Sequence, residues 1–552
     1  MGHSPRTSTE LPTDKLPPNT EHVELEGAKS RAINSHVGPE LAAVLPQHGR
    51  PWFLVPSLLR LNIYVGIVML SATTMGFDGS MMNGLQGLDS WMGYFGNPSG
   101  AKLGIMNAVL FLGIVCEHRP RVLLSLLTVS LISTKQLINV PVAWLPDAIG
   151  RRYTMLIGSI ILITGAAIQG SAKSVSTFIV ARLIIGLGNQ FASLPAPVLI
   201  SEIAYPPHRG RATGLFQTNF YLGSIASSWI TFGTFHLAST WSWRIPSILQ
   251  GFFPLIQLLG LWFVPESPRW LASKDRIEEA RAVLGKYHAA GDPSHPLVDF
   301  EMQEITSHIQ AEQELAGMGW GSLIKTKGDR KRLAVSMFVV VVSQFSGNSV
   351  ITYYLSLVLD TIGVTDSFTK TLINGILQIF NFFAAIGGSL AVDRLGRRTL
   401  WLWSCVGMLC TYIIFTACSA AFVDSRNHAT AVVVIVFIFL YFFHYDIAVT
   451  PLTFAYPTEI LPFHARQKGM ACVNFGNGAL LIFNAFVNPI ALEAIGWKYY
   501  LVWVVLLAII TVVVYLFFAE TKGRPLEEIP DIFEGPAIVP KHARRLLQRR
   551  ST

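Results

Sequence analysis

Residues 1–60 are polar and carry prolines, in stretches such as SHVGPE and LPQHGRPW. From there long apolar runs alternate with short charged ones. The runs predict helices over 62–84, 101–114, 153–170, 176–199, 212–234 and 246–264. They resume over 334–358, 370–391, 399–420, 430–454, 469–491 and 498–518. Several reach 18 or more residues with few charges, the length a helix needs to cross a hydrocarbon layer. The stretch between the two groups, 265–333, is polar. Within it DRIEEARAVLGKYH and FEMQEITSHIQAEQELAG have helical periodicity and opposite charges three or four apart. They predict short amphipathic helices, with too few apolar residues for an independent core. The resulting plan is all-α and integral to the membrane. It has a tail over 1–60, six spans in 61–264, a linker over 265–333, six spans in 334–518 and a tail over 519–552.

Composition sharpens this plan. The chain of 552 residues is 51% hydrophobic and 14% charged, against about 25% charged in soluble proteins. A net charge of +8 would raise nucleic-acid binding in a soluble chain. Here the basic residues cluster between spans, in RR at 151–152, HRGR at 208–211, KTKGDRKR at 325–332, RR at 397–398 and HARQK at 464–468. Such clusters mark the cytoplasmic side, so no nucleic-acid partner is expected. If all of them face the cytoplasm, both termini do too and the span number is even. Five cysteines lie mostly inside apolar runs, without CxxC or metal-ligand spacing. No metal or cofactor is expected, and no nucleophile–base set points to an enzyme.

The chain repeats itself. DAIGRR at Asp147–Arg152 returns as DRLGRR at Asp393–Arg398, 246 residues on. Glu202 and Arg209 are seven apart, as are Glu459 and Arg466, and PESPRW at 265–270 is echoed by ETKGRP at 520–525. Two related six-span halves are a common transporter plan, with a cavity between them that opens alternately. The glycine of each hexamer permits a tight turn. Asp147, Arg151, Arg152, Glu202 and Arg209, with Asp393, Arg397, Arg398, Glu459 and Arg466, then form a candidate cytoplasmic gate of carboxylate–arginine pairs. The alternative is that these charges only set the topology.

Together DAIGRR, PESPRWL, DRLGRR, YPTEILPFHAR and ETKGRPLEEI resemble the sugar porter family of the major facilitator superfamily, most nearly its fungal lactose-permease-like and hexose-transporter-like members. The likeness covers roughly 55–535. It implies a major facilitator fold of 12 transmembrane helices and a central sugar site, proton-driven in many fungal members. The expected partners are a sugar, protons and the lipid bilayer, with no obligate protein partner, and the expected location is the plasma membrane. The resemblance pairs Asp78 and Arg182 for proton coupling, with a static buried pair as the alternative. It places Gln217, Gln344, Asn348, Ser349, Asn381 and Asn477 toward the sugar, although amides also serve as interhelical hydrogen bonds. Ser343 stands where relatives carry a first glutamine, Phe454 where they often have tryptophan, and Gly478 where many hexose carriers also do. The lost tryptophan at 478 makes room for a second ring, which leans the expectation toward a proton-coupled disaccharide carrier. An uncoupled hexose facilitator or a non-transporting sugar sensor is the alternative. His444 and Asp446 are further intramembrane polar groups, expected to bond sugar or share in proton movement, with helix pairing an alternative for His444.

One segment resists the plan. VCEHRPRV interrupts the second span, and helices bury such a charge cluster only at high cost. Removing 115–136 joins GIMNAVLFLGI to LINVPVAWLP, one proper span, and restores the family's usual spacing. Val-Cys and Lys-Gln are also compatible with intron boundary codons. Val115–Gln136 therefore reads as a retained intron, with a re-entrant or extra cytosolic segment as the alternative.

Overall fold

A computed structural model describes residues 39–46, 51–115, 145–316, 320–462, 465–522 and 533. Residues 116–136 of the doubtful insertion lie outside the described residues. A helix stands at each of the twelve expected spans. In the first half these are α1 (Pro56–Gln86), α2 (Gly100–Val115), α3 (Arg151–Gly170), α4 (Val175–Ser193) continued by α5 (Pro195–Ile203), α6 (Pro206–Thr234), and α7 (Trp241–Leu249) continued by α8 (Phe252–Leu261). In the polar linker lie α9 (Ile277–His288) and α10 (Pro296–Ala316). The second half holds α11 (Lys327–Gln344) continued by α12 (Asn348–Thr361), then α13 (Ser367–Leu395), α14 (Arg397–Ser425), α15 (His428–Ile460), α16 (Arg466–Ile495) and α17 (Tyr499–Phe517).

The breaks follow local chemistry. Pro195 opens α5 directly after α4, and Gly251 separates α7 from α8. The seventh span, expected as continuous over 334–358, is interrupted after Gln344. Gly347 there has φ +90°, a left-handed conformation that L side chains rarely take. A broken helix frees backbone groups, which a bilayer tolerates only where protein or a wet cavity covers them. The fifth span starts earlier than expected, at Pro206, because proline fits the first helical turn.

Apolar burial divides by region. A large cluster built around Trp401, Tyr412, Tyr441 and Trp503 fills the second half and reaches Trp91 and Trp243 of the first. A second cluster, with Leu61, Met155, Leu199 and Leu261, packs the hexamer end of the first half. Conversely, Leu259, Trp262, Phe263, Val505 and Leu516 stay exposed. A polar surround would penalise that arrangement, while a lipid surround solvates it.

The halves also touch. α2 packs on α16, α6 on α13 and α1 on α12. A belt of cross-half hydrogen bonds closes the end opposite the hexamers. Asn83 Nδ2 donates to Asn374 Oδ1 at 3.3 Å, Asn374 Nδ2 to Ser228 Oγ at 3.0 Å, Ser356 Oγ to the Asn83 carbonyl at 3.2 Å, and Gln86 Nε2 to the Tyr353 carbonyl at 3.0 Å.

Candidate functional site

Between the halves, at mid-depth, lies a cavity of about 210 Å³. Its polar wall comes from both sides. Gln217 and Tyr221 project from α6. Gln344, Asn348 and Ser349 flank the break between α11 and α12. Asn381 comes from α13, Thr450 and Phe454 from α15, and Asn477 from α16. Seven of the eight residues expected to face sugar therefore line one cavity, namely Gln217, Gln344, Asn348, Ser349, Asn381, Phe454 and Asn477. Asp446 does not line it. It sits fully buried behind Tyr221 and Thr450, which do.

The amides are held in place by one another. Gln344 Nε2 donates to Asn477 Oδ1 at 2.9 Å, and Ser343 Oγ reaches the same oxygen at 3.4 Å. Asn484, which sequence reasoning passed over, donates its Nδ2 to the Gln344 carbonyl at 2.7 Å and so satisfies backbone freed at the helix break. Thr352 Oγ1 fixes Asn348 Oδ1 at 2.8 Å. Asn381 lines the cavity, and its Oδ1 is buried without a hydrogen-bond partner among the described residues. Such a wall offers donors and acceptors but no net charge, which suits a neutral polyol. Gly478, expected to open room for a second ring, is buried beside Asn477 and does not line the cavity.

Deeper in the first half, Asp78 and Arg182 form an ion pair at 3.4 Å, each about 1% exposed. Gln250 Nε2 donates to Asp78 Oδ1 at 2.8 Å and Asn189 Nδ2 to Oδ2 at 3.2 Å. The carboxylate thus has a counter-cation and two amide donors, the satisfaction that a buried charge requires. Gln250 and Asn189 were missed from sequence. Their signal was an amide inside an apolar run, SILQGFF and GLGNQF. His444 points its Nδ1 at the Leu440 carbonyl of its own helix, 2.7 Å away, with its ring against Gly407 of α14. It serves helix packing here.

At the hexamer end, the pairs are made inside each half. Arg151 lies 3.4 Å from both Asp147 and Glu202, and Arg397 lies 3.1 Å from Glu459. Arg209 approaches Glu301 of α10 at 3.7 Å, rather than Glu202. Arg466 Nη2 donates to the Leu461 carbonyl at 3.5 Å. The side chain of Asp393 lies outside the described residues. The arginines at 152 and 398 turn outward from these pairs. Arg152 Nη1 donates to the Val264 carbonyl at 3.1 Å and Arg398 Nη2 to the Tyr515 carbonyl at 2.8 Å.

Two carboxylates absent from the expected set complete this end. Glu266, from PESPRW, accepts the backbone N–H groups of Arg151 and Arg152 at 3.1 Å. Glu520, from ETKGRP, accepts those of Arg397 and Arg398 at 2.9 and 3.1 Å. Each caps the helix that its hexamer begins, where orphan N–H groups and the helix dipole favour an anion. The hexamer glycines make this approach possible. Gly150 and Gly396 have φ of +105° and +91°, and a Cβ on either would meet the capping carboxylate within 3 Å. Burial pushes the Glu266 carboxyl up from its ordinary value, against the backbone N–H groups of Ser267, Arg152 and Arg151. Burial also raises Glu520, but the N–H groups of Lys522, Arg397, Arg398 and Thr521 outweigh it and hold that carboxyl low. The repeated Glu in the two motifs was the available signal.

Known proteins resemble this chain along most of its length. A sequence model described as "Sugar (and other) transporter" matches residues 64–533. A Kluyveromyces lactis protein named high-affinity glucose transporter is 30% identical over 499 residues, covering 86% of this chain and 85% of the relative. The low-affinity glucose transporter HXT1 of Saccharomyces cerevisiae is 28% identical over 403 residues, 72% of this chain and 70% of its own. Among solved structures, the E. coli xylose transporter XylE in its inward-open conformation superposes with a TM-score of 0.68 at 20% identity, covering 86% of this chain and all of that one. The same protein described as a proton:xylose symporter, bound to 6-bromo-6-deoxy-D-glucose, gives 0.66 at 19% identity, covering 86% and 99%. At such identity these structural likenesses speak for the fold alone.

Proposed function

The chain belongs to the sugar porter family of the major facilitator superfamily, a multi-pass membrane transporter of twelve helices, and on that premise we propose that it carries a hexose by alternating access. The observation that carries this reading is the uncharged cavity whose amides come from both halves, Gln217 on one side and Gln344 and Asn477 on the other. Relatives named as glucose transporters support a hexose over the disaccharide expected from Gly478.

With the hexamers and both termini on the cytoplasmic side of the plasma membrane, the closed belt at Asn83 and Asn374 faces outward and the cavity faces in. The gate is then a pair of clusters, one per half, that come together across the halves when the cavity opens outward. Proton coupling is a second reading, favoured by the buried Asp78–Arg182 pair. Protonation would neutralise Asp78 and release Arg182 to another partner, and loss of the proton inside would restore the pair.

The test is uptake in a cell deficient in hexose transport, with and without residues 115–136. Labelled glucose, xylose, lactose and cellobiose are compared at two external pH values. Saturable glucose uptake that the disaccharides do not compete with is the expected result. Preferential uptake of lactose or cellobiose would overturn the hexose reading.

A further inference from the structure

Asp446 is the second carboxyl buried at mid-depth, and its surroundings differ in kind from those of Asp78. It is 0% exposed. Tyr221 Oη donates to its Oδ1 at 2.5 Å and Thr450 Oγ1 to the same oxygen at 2.8 Å, while Oδ2 is buried without a hydrogen-bond partner among the described residues. No ion pair involves Asp446 among the described residues. The titratable groups around it are Tyr221 of α6 and Tyr441 and Tyr445 of its own helix, with Tyr353 of α12 next to Tyr445 and Cys405 of α14 next to Tyr441. α13 presents Gly388 to the backbone at Asp446 and Ile447. The lysines, arginines and carboxylates of α6, α11, α13, α14 and α16 sit toward the helix ends, far in sequence from mid-span. An isolated negative charge here has two hydroxyl donors and no cation, which is a costly arrangement in a membrane interior. The neutral acid is not.

Tyr221 is what connects this acid to the cavity, since it is part of the wall and its hydroxyl bonds to Asp446 across the two halves. A phenol has one proton to give. We propose that Asp446 is a second proton-carrying carboxyl, separate from Asp78, whose protonation turns the Tyr221 hydroxyl from an acceptor into a donor toward the sugar. As the acid, Asp446 donates its own proton to Tyr221 Oη, and the phenol proton is free to meet a sugar oxygen. As the carboxylate, Asp446 accepts a hydrogen bond from the phenol O–H, which keeps its proton, and the sugar meets only the lone pairs of that oxygen. One proton is gained from cavity water on the first change and returned on the second. Proton and sugar therefore strengthen each other's binding, and by reciprocity each does so by the same factor. Asp446 is thus a positioning residue that acts through Tyr221. This inference rests on the hexose reading for its ligand, but not on coupling at Asp78.

The test uses the purified full chain in nanodiscs, where both faces see one pH. Binding of labelled glucose to wild type is expected to weaken about 5- to 10-fold from mildly acidic to mildly alkaline pH. Asp446→Asn is expected to lose that dependence. Tyr221→Phe is expected to lose it too and to bind more weakly at both values, whereas Asp78→Asn keeps it. An Asp446→Asn protein that still follows the wild-type pH dependence would overturn the proposal, as would its loss in Asp78→Asn alone. A ligand-free arm separates this from the hexose reading. The infrared difference between wild type and Asp446→Asn at neutral pH should show a protonated-carboxyl band that shifts in Tyr221→Phe. If glucose binds at neither pH, the hexose reading falls, and the absence of that band would end the proposal by itself.

Discussion

Several polar side chains on the cavity wall have partners that fix where they point. Gln344 is the clearest case, because Asn477 takes its amide hydrogen and Asn484 takes its backbone carbonyl. Gln344→Ala removes one ligand contact and also leaves Asn477 Oδ1 with only the long Ser343 contact. The expected outcome is a rise in KM of about tenfold, about 1.4 kcal/mol, the scale of one buried hydrogen-bonding group, read from initial rates of glucose uptake. At Asp78 the expectation is different. Asp78→Asn removes the charge that Arg182 faces at 3.4 Å and leaves a buried cation short of its counter-ion. Under the proton-coupled reading, this variant loses accumulation against a gradient. Undiminished accumulation by that variant would remove the coupling role. Sequence made Asp78 legible as an acid inside an apolar run, and Gln217 and Asn381 legible through the family resemblance. It did not reveal Tyr221, because a tyrosine in an apolar helix is ordinary, and only the fold sets its hydroxyl against Asp446.

Helix ends carry a second kind of information. The hexamers were legible as charged turns, but their arginine side chains are half of the arrangement. The other half is backbone, gripped by Glu266 and Glu520 from motifs more than a hundred residues away. Spacing along the chain could not show that contact, since it forms only when the third and sixth spans of each half pack together. The two caps should respond oppositely to pH. Glu520 is held below the ordinary glutamate range, so its stabilisation is present above that range and is lost as pH falls through its folded value. Glu520→Gln is therefore expected to lower thermal stability at neutral pH by about 0.5–1 kcal/mol, modest for a lost cap because water reaches it. The deficit should close on acidification. Glu266 is raised by burial, so whatever it contributes is present below the ordinary glutamate range and is lost as pH rises through its folded value. Glu266→Gln should cost less than Glu520→Gln at neutral pH, and thermal unfolding of both purified variants across pH checks the pair. The break at Gly347 was likewise unseen, because the apolar run continues through it. Its left-handed glycine is a backbone demand that hydropathy does not register.

For the molecule as a whole, hydropathy and internal repetition sufficed for the all-α, twelve-helix, two-half plan, since lipid leaves a chain few alternatives. They could not show which end is shut. The belt through Asn83, Asn374, Ser228 and Ser356 answers that for this conformation. Replacing Asn83→Cys and Asn374→Cys together should allow an oxidative crosslink that arrests transport, with activity restored by reductant. Full uptake by the crosslinked protein would mean that this end does not open during the cycle. The shared wall has one more implication. A sugar seated between Gln217 and Asn477 is itself a strut between bodies that must swing past each other. A deoxy analogue that grips only one body can dock and yet be left behind, competing for the berth without making the crossing. Carriage would then be graded by how many hands hold the passenger, and not by how tightly any one of them does.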